Sequence, residues 1–106
     1  MKKKFPIKMV SFGGKIGTRP AVILNNRYGR ADVLKITSRM KDEDSPFYAH
    51  MNHYIICGFC NTSEVYTVPI DKIGDFKRNC TTSEEDKIME NLAYCKSKEL
   101  LRTRVI

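Results

Sequence analysis

The apolar residues of this chain occur in short runs, and the spacing between them changes once along the sequence. Up to about residue 70 they form segments of strand length, rich in valine, isoleucine and threonine and separated by glycine, asparagine and charged residues. After residue 82 the apolar residues recur every three or four positions, which is typical of one helical face. This change predicts a mainly β fold (β+α), in which a small, strongly curved antiparallel sheet packs against one C-terminal helix.

The length of the chain and the length of its apolar runs limit the class of protein. A chain of 106 residues corresponds to a single domain, 1–106, that buries about two-thirds of its unfolded surface. Its longest apolar runs, such as 21–24 and 54–57, contain four residues, whereas a membrane-spanning helix needs about 20. Pro6 and Lys8 interrupt the segment behind the basic start, so no signal peptide is evident. We expect a cytoplasmic protein with no membrane partner and a flexible basic N-terminus at residues 1–7.

Turn residues and charge divide the first two-thirds of the chain. The segments with the composition of strands are residues 8–12, 20–25, 32–37, 47–51 and 64–69. The glycine-rich segment 13–18 is predicted to be a loop, and Asn25-Asn26 is a turn signal. The charged segment 38–46 contains few apolar residues and is predicted to be a mobile loop.

The C-terminal helix is predicted over residues 83–98. Thr82 and Glu85 have the spacing of a capping box, in which a hydroxyl and a carboxylate each accept from a backbone N–H at the helix start. Basic residues collect at the far end, where the helix dipole favours cations. The residues predicted to form the buried face are Ile88, Met89, Leu92 and Ala93.

The positive charge is concentrated in the first 41 residues. The whole chain has 19 Lys and Arg against 12 Asp and Glu, a net charge of +7. Residues 1–41 hold eleven of these bases against Asp32 alone, which makes that segment +10, and the other 65 residues hold eight bases against eleven acids, or −3. Such a polarised surface attracts polyanions, of which nucleic acid is the commonest in cells. The charge alone is equally compatible with a solvated basic surface that binds no polyanion.

Four potential zinc ligands fall within eleven residues, in the order His50, His53, Cys57 and Cys60. Zinc needs four N or S donors that converge tetrahedrally, but any strand here would place residues three apart on opposite faces. We therefore favour free thiols, mostly small and buried, over a metal site, and predict no metal and no cofactor. A zinc-stabilised interaction domain is kept as a minor alternative.

A second set of residues suits a phosphate. Arg19 opens an apolar strand within Gly17-Thr18-Arg19-Pro20, and Thr37-Ser38-Arg39 ends the next strand. A guanidinium offers a planar, permanently charged fork for a phosphate, and a hydroxyl at the adjacent strand end is a suitable second ligand. By itself the pattern is also compatible with ordinary strand ends.

Two segments resemble the signature segments of the MazF/PemK toxins, the ribosome-independent mRNA interferases of bacterial type II toxin-antitoxin systems. They are residues 18–25 (Thr-Arg-Pro-Ala-Val-Ile-Leu-Asn) and 33–38 (Val-Leu-Lys-Ile-Thr-Ser). Gly58-Phe59, Ser63 with the following strand, 71–73 and 82–86 are similar to later segments of the family. The resemblance covers residues 9–92.

This resemblance implies a small SH3-like β-barrel with a C-terminal helix, usually a homodimer whose interface lines an RNA groove. It also implies metal-independent cleavage of single-stranded RNA, in which the substrate's own 2′-hydroxyl attacks the adjacent phosphorus. A cognate acidic antitoxin is the implied protein partner, and the +10 segment is a suitable surface for it.

The resemblance also assigns roles to residues. Arg19 matches the family arginine and would stabilise charge and deliver a proton. Thr37 matches the family threonine and would hydrogen-bond the scissile phosphate. His50, preferred over His53, would exchange protons near neutrality or bind RNA. The residues expected to contact the substrate are Lys15, Thr18, Ser38, Arg39 and His53. A basic module that binds nucleic acid or a partner without cutting it is the alternative function.

Overall fold

The computed structural model describes residues 4–42 and 44–106, and in this part of the chain it contains eight strands and one α-helix. A 3-10 turn, Ile70–Lys72, precedes the seventh strand. The helix α1 spans Thr82–Ser97. The strands are β1 Pro6–Ser11, β2 Thr18–Arg27, β3 Arg30–Thr37, β4 Tyr48–Met51, β5 Gly58–Asn61, β6 Glu64–Pro69, β7 Ile73–Asn79 and β8 Arg102–Val105.

The strands form one sheet with the order β4-β5-β3-β2-β1-β7, in which neighbouring strands are antiparallel. One edge of β3 is shared, because residues 30–33 pair with β6 whereas 36 and 37 pair with β5. β8 pairs with β6 in parallel, a pairing that the sequence did not predict. The mainly β fold with a C-terminal helix is confirmed. Within the described residues the sheet does not close, so the SH3-like barrel stays a prediction.

Successive side chains along the central strands point to opposite faces of the sheet, where they form two hydrophobic clusters. Val22 and Leu34 are cross-strand partners that contribute to the cluster with Ile88 of α1. The next pair, Ile23 and Val33, belongs to the second cluster. Because both faces of β2 and β3 are covered, these strands read as continuous apolar runs in the sequence.

The helix begins one residue earlier than predicted, and its cap is different. Thr81 is the N-cap: its hydroxyl accepts from the Glu84 N–H at 3.2 Å, and the Glu84 carboxylate accepts from the Thr81 N–H at 2.8 Å. The predicted capping box of Thr82 and Glu85 is therefore wrong. Glu85 instead accepts from the backbone N–H of Phe5 at 2.7 Å.

The buried face of α1 also differs from the predicted one. Ile88 is fully buried as predicted, and Leu92 packs against the same cluster. Met89 and Ala93 are exposed, so their assignment to the buried face is wrong. The buried face of the helix includes polar as well as apolar residues; its buried residues are Glu84, Glu85, Ile88, Asn91 and Cys95.

Other sequence predictions need correction near the start of the chain. Residues 1–7 were expected to be flexible, but Phe5 and Ile7 are buried and β1 begins at Pro6; residues 1–3 lie outside the described part. Asn25 and Asn26 lie inside β2, and the hairpin turns at Tyr28 and Gly29, whose φ angles are 52° and 74°. The described residues contain no helix of the length and apolarity that a membrane span requires.

Candidate functional site

A surface pocket of about 490 Å³ lies where β2, β3, β4 and β5 meet. Four cationic side chains line it, and none of its described lining residues is a carboxylate. β2 contributes Arg19, β3 contributes Lys35, and the segment after β3 contributes Arg39 and Lys41. Uncompensated positive charge in a concave site is suited to a phosphate or another anion.

Strand register brings Arg19 and Thr37 together. Ala21 of β2 and Lys35 of β3 form the last pair of this antiparallel ladder, and Arg19 and Thr37 lie two residues beyond that pair on the two strands. Both line the pocket. Arg19 is exposed, and no carboxylate among the described residues forms an ion pair with it. Its guanidinium is therefore available to a ligand.

The hydroxyl of Thr37 is oriented by the turn that follows it. The oxygen accepts a hydrogen bond from the backbone N–H of Arg39 at 3.2 Å. A hydroxyl has one proton and two lone pairs, so the proton of Thr37 is left to donate to a ligand. Ser38 and Arg39 of the same turn, for which the sequence analysis expects contact with the substrate, also line the pocket.

The start of β5 approaches the backbone of Thr37 so closely that only glycine fits. A Cβ atom at Gly58 would lie 2.4 Å from the Thr37 carbonyl oxygen. Gly58 also has a φ of 136°, a conformation that other residues adopt only with strain. The glycine of the predicted Gly-Phe segment thus sets the position of Thr37.

A buried arginine holds the loop that leads into Gly58. Arg78 of β7 donates to the carbonyl oxygens of Ile55 and Ile56, the second at 2.9 Å. Its two terminal nitrogens also bind the Glu84 carboxylate, at 2.7 and 2.9 Å, and both side chains are less than a tenth exposed. Burial raises the pKa of Glu84, but the hydrogen bonds from Arg78 and Thr81 outweigh it and lower the pKa. The ionised pair therefore ties the loop to the start of α1.

His50 shares a sheet face with Thr37 but does not line the pocket. Thr37 pairs with Phe59 on β5, and Phe59 pairs with His50 on β4, so the three form one row across the sheet. Two strand spacings separate His50 from Thr37 by roughly 10 Å. The imidazole stacks on Phe59, with ring centroids 4.8 Å apart. The structure therefore does not bring the predicted catalytic trio together.

Three predicted substrate residues also lie outside the pocket lining. Thr18 is next to Arg19 on β2 and therefore faces the opposite side of the strand. Lys15 is exposed in the glycine-rich loop, from which Ile16 reaches the pocket instead. His53 uses Nδ1 to accept from the Ile55 N–H at 3.0 Å, and its ring stacks on Tyr54.

Five polar or reactive residues that line the pocket were not among the residues predicted to contact the substrate. Lys35 could have been found, because it lies two residues before Thr37 and a strand has a period of two. The others depend on pairings between distant segments or on loop geometry. Lys41, for example, places its Nζ 5.0 Å from the ring centroid of Tyr48. The missed residues are Lys35, Lys41, Tyr48, Cys57 and Asn61.

The cysteines occupy different environments. Cys57 is exposed at the pocket, whereas Cys60 is buried in the core. Burial raises the pKa of the Cys60 thiol well above its ordinary value and raises that of Cys80 to about 12. Among the residues that the structure describes, no group of three or more His, Cys, Asp or Glu is arranged to hold a metal ion.

The sequence matches no family model and no curated protein sequence. Solved structures do match. A mycobacterial endoribonuclease in complex with its cognate antitoxin superposes with a TM-score of 0.76 at 19% identity, over 87% of this chain and 91% of that chain. The Mycobacterium tuberculosis toxin MazF-mt6 gives 0.72 at 16% identity, over 87% and 96%. The MazE-MazF structure from Deinococcus radiodurans gives 0.67 at 17% identity, over 89% and 90%. The chain therefore has the fold of the MazF-type endoribonuclease toxins, which the sequence resemblance predicted.

Proposed function

We propose that this protein is the toxin of a type II toxin-antitoxin system, an endoribonuclease that cuts single-stranded mRNA without a metal ion. One observation carries the proposal: Arg19, with no ion-pair partner among the described residues, and the Thr37 hydroxyl line one cationic pocket on a MazF-type fold. The solved neighbours named as endoribonucleases add support by resemblance.

The residues of the pocket suit cleavage by an internal nucleophile. The 2′-hydroxyl of the substrate attacks the adjacent phosphorus, the new 2′-oxygen to phosphorus bond closes a cyclic phosphate, and the bond to the 5′-oxygen breaks. The proton of the 2′-hydroxyl is taken up by His50 or by water acting as the base, and the 5′-oxygen receives a proton from Arg19 as it departs; Arg19 regains its proton from water. Arg19 stabilises the doubly negative phosphorane, and the Thr37 hydroxyl donates to a phosphate oxygen. Because the nucleophile belongs to RNA, DNA is not cut.

His50 is the proposed group for proton transfer or RNA binding beside this centre. It lies on the same sheet face as Thr37, and an imidazole exchanges protons near neutral pH. In this proposal the group next to the phosphate is Arg19, which delivers the proton to the leaving oxygen. A His50→Gln variant that retains the wild-type pH profile of cleavage would remove His50 from the proton transfer.

The proposed partners follow from the cationic pocket. An acidic segment of a cognate antitoxin would neutralise the four cations and block access to RNA. Two of the solved neighbours contain such a pair, a mycobacterial endoribonuclease with its antitoxin and MazE with MazF. We further propose a homodimer as the functional unit, and the cytoplasm, where mRNA is found, as its location.

The direct test is cleavage of single-stranded RNA by purified protein in the presence of EDTA. Wild-type protein is expected to produce fragments, and Arg19→Ala is expected to abolish them while the circular dichroism spectrum stays unchanged. Arg30→Ala is the matched control, because Arg30 is also exposed but does not line the pocket. Undiminished cleavage by Arg19→Ala would falsify the assignment.

The second candidate function is a module that binds RNA or a partner without cutting it. The observation that favours it is the lining of the pocket, where the described residues include neither histidine nor a carboxylate to act as a general base. Intact RNA together with binding that weakens as salt is raised would select this function.

A further inference from the structure

A second pocket, of about 410 Å³, adjoins the first and shares Tyr48 and Asn61 with it. The two shared residues are cross-strand partners on β4 and β5, so they form a common wall between the pockets. The remaining lining residues are Phe47, Ser63, Glu64, Leu100 and Arg102. Leu100 and Arg102 come from the segment after α1, where β8 begins.

The side-chain amide of Asn61 is held in one orientation. Its Oδ1 accepts from the backbone N–H of Ser63 at 3.0 Å and from the Ser63 hydroxyl at 2.7 Å. Within residues 4–42 and 44–106 its Nδ2 donates to no protein group. The amide therefore offers two fixed N–H donors at the common wall, and these suit a carbonyl oxygen of a ligand.

Tyr48 adds a flat aromatic surface to the same wall. Its side chain is half-buried, and Lys41 lies over its ring. Bases of single-stranded nucleic acids commonly stack on such rings because every base has a π face.

The charges around the second pocket do not repel a polyanion. Arg102 is exposed, and its backbone N–H donates to the Ser63 carbonyl at 2.9 Å, which fixes the start of β8. The Glu64 carboxylate is occupied, since it accepts from Arg104 Nε at 2.6 Å and from the Tyr66 hydroxyl at 2.7 Å. The carboxylate in the pocket is thus paired, whereas Arg102 forms no ion pair with another described residue and is available to a ligand.

We propose that the second pocket binds the base of the nucleotide next to the phosphate held in the first pocket. The base stacks on the face of the Tyr48 ring that Lys41 does not cover, and one of its carbonyl oxygens accepts from Asn61 Nδ2. Arg102 contacts the backbone on the far side. The ligand is single-stranded nucleic acid, and the inference rests on the proposed function only for the phosphate in the first pocket.

The test uses two probes that cannot be cut, because they lack the 2′-hydroxyl. One is a short fluorescent oligothymidylate, and the other is an abasic deoxyribose-phosphate chain of the same length. Tyr48→Leu is expected to weaken binding of the oligothymidylate by about fivefold or more, as for loss of one stacked base. Binding of the abasic chain is expected to stay unchanged. Arg19→Ala is expected to weaken binding of both probes.

Two further variants guard against a loss that comes from misfolding. Tyr54→Leu is the matched control, because Tyr54 is almost fully exposed and lines neither pocket, so it should change nothing. Asn61→Asp keeps both hydrogen bonds from Ser63 but replaces the free donors by an acceptor. This variant should bind thymine less tightly, because thymine O4 accepts a hydrogen bond, and cytosine more tightly, because the cytosine amino group donates one.

The base subsite is overturned if Tyr48→Leu weakens both probes equally or neither, or if wild-type protein does not bind the oligothymidylate more tightly than the abasic chain. The proposed ribonuclease fails by a different result, the absence of RNA cleavage by wild-type protein, so the two failures are distinguishable.

Discussion

Arg78 and Arg19 lie on the same sheet but in opposite electrostatic situations. Arg78 is buried, and its guanidinium binds the Glu84 carboxylate and three backbone carbonyls. Arg19 is exposed at the pocket and forms no ion pair within the described residues. The difference indicates that the charge of Arg78 stabilises the fold, whereas the charge of Arg19 is available to bind a ligand. It predicts that substitution of Arg78 changes stability, whereas substitution of Arg19 changes RNA cleavage.

Arg78→Met should have the largest effect on stability. The substitution leaves the buried Glu84 carboxylate without its partner, and breaking such a pair costs about 3–5 kcal/mol. Urea denaturation followed by circular dichroism measures the free energy of unfolding. Arg19→Met is the matched control, and its effect should stay within about 0.5 kcal/mol because the side chain is exposed. Similar losses in the two variants would contradict the comparison.

Gly58→Ala should have the next largest effect, because Gly58 lies between the loop held by Arg78 and the pocket. The new Cβ would collide with the Thr37 carbonyl oxygen, and such overpacking costs about 1–3 kcal/mol beyond the backbone strain. Gly14→Ala is the comparison variant, since Gly14 also has a positive φ, of 53°, in a region that Tyr28 and Ile56 of this chain also adopt, and has open space around it.

The measurements are the free energy of unfolding and the rate of RNA cleavage. Gly58→Ala is expected to lose more stability than Gly14→Ala and to slow cleavage, because the collision displaces Thr37. Equal unfolding free energies for the two alanine variants would show that the contact with Thr37 does not constrain Gly58.

The site could be predicted from sequence only where its residues lie at the ends of neighbouring strands. Arg19 and Thr37 belong to β2 and β3, consecutive strands joined by a two-residue turn, so the strand pattern alone predicts that they lie close together, whereas their roles were assigned by the resemblance to the MazF/PemK toxins. Tyr48 and Asn61 enter the pocket through the pairing of β4 with β5. Strand β5, Gly58–Asn61, is not evident from composition, because it has only four residues, begins with glycine and ends with asparagine.

The helix start shows a different limit of sequence analysis. Thr81 and Thr82 are each followed three residues later by a glutamate, so two capping boxes one residue apart fit the pattern equally well. The choice is made by tertiary contacts, since Arg78 binds Glu84 and the Phe5 N–H occupies Glu85. Strand β6, in contrast, has the predicted bounds, because turn signals and alternation define it locally.

The ion pair of Arg78 should also make stability depend on acidic pH. The pKa of Glu84 is lower in the folded protein than its ordinary value of about 4.3 in an unfolded chain. Between these two values the unfolded chain binds more protons, so stability falls as the pH is lowered through this window. Urea denaturation at a series of pH values from neutral to acidic is the measurement.

Glu84→Gln is the control for this pH effect. The variant should be less stable than wild type at neutral pH and should lose less stability on acidification. If the free energy of unfolding changed with pH in parallel for the two proteins, Glu84 would not be the source of the stability lost on acidification.

Thr81→Ala should have the smallest effect that is still measurable. Loss of an N-cap hydroxyl costs about 1 kcal/mol, because the Glu84 N–H loses its acceptor. Thr82→Ala is the matched control and should change the free energy of unfolding by less than about 0.5 kcal/mol, since Thr82 is exposed inside the helix. Both variants should cut RNA at the wild-type rate, because the cap stabilises the side of the sheet that Arg78 holds and does not line the pocket. A larger loss of unfolding free energy for Thr82→Ala than for Thr81→Ala would indicate that Thr82 is the N-cap. It would contradict the capping role of Glu84.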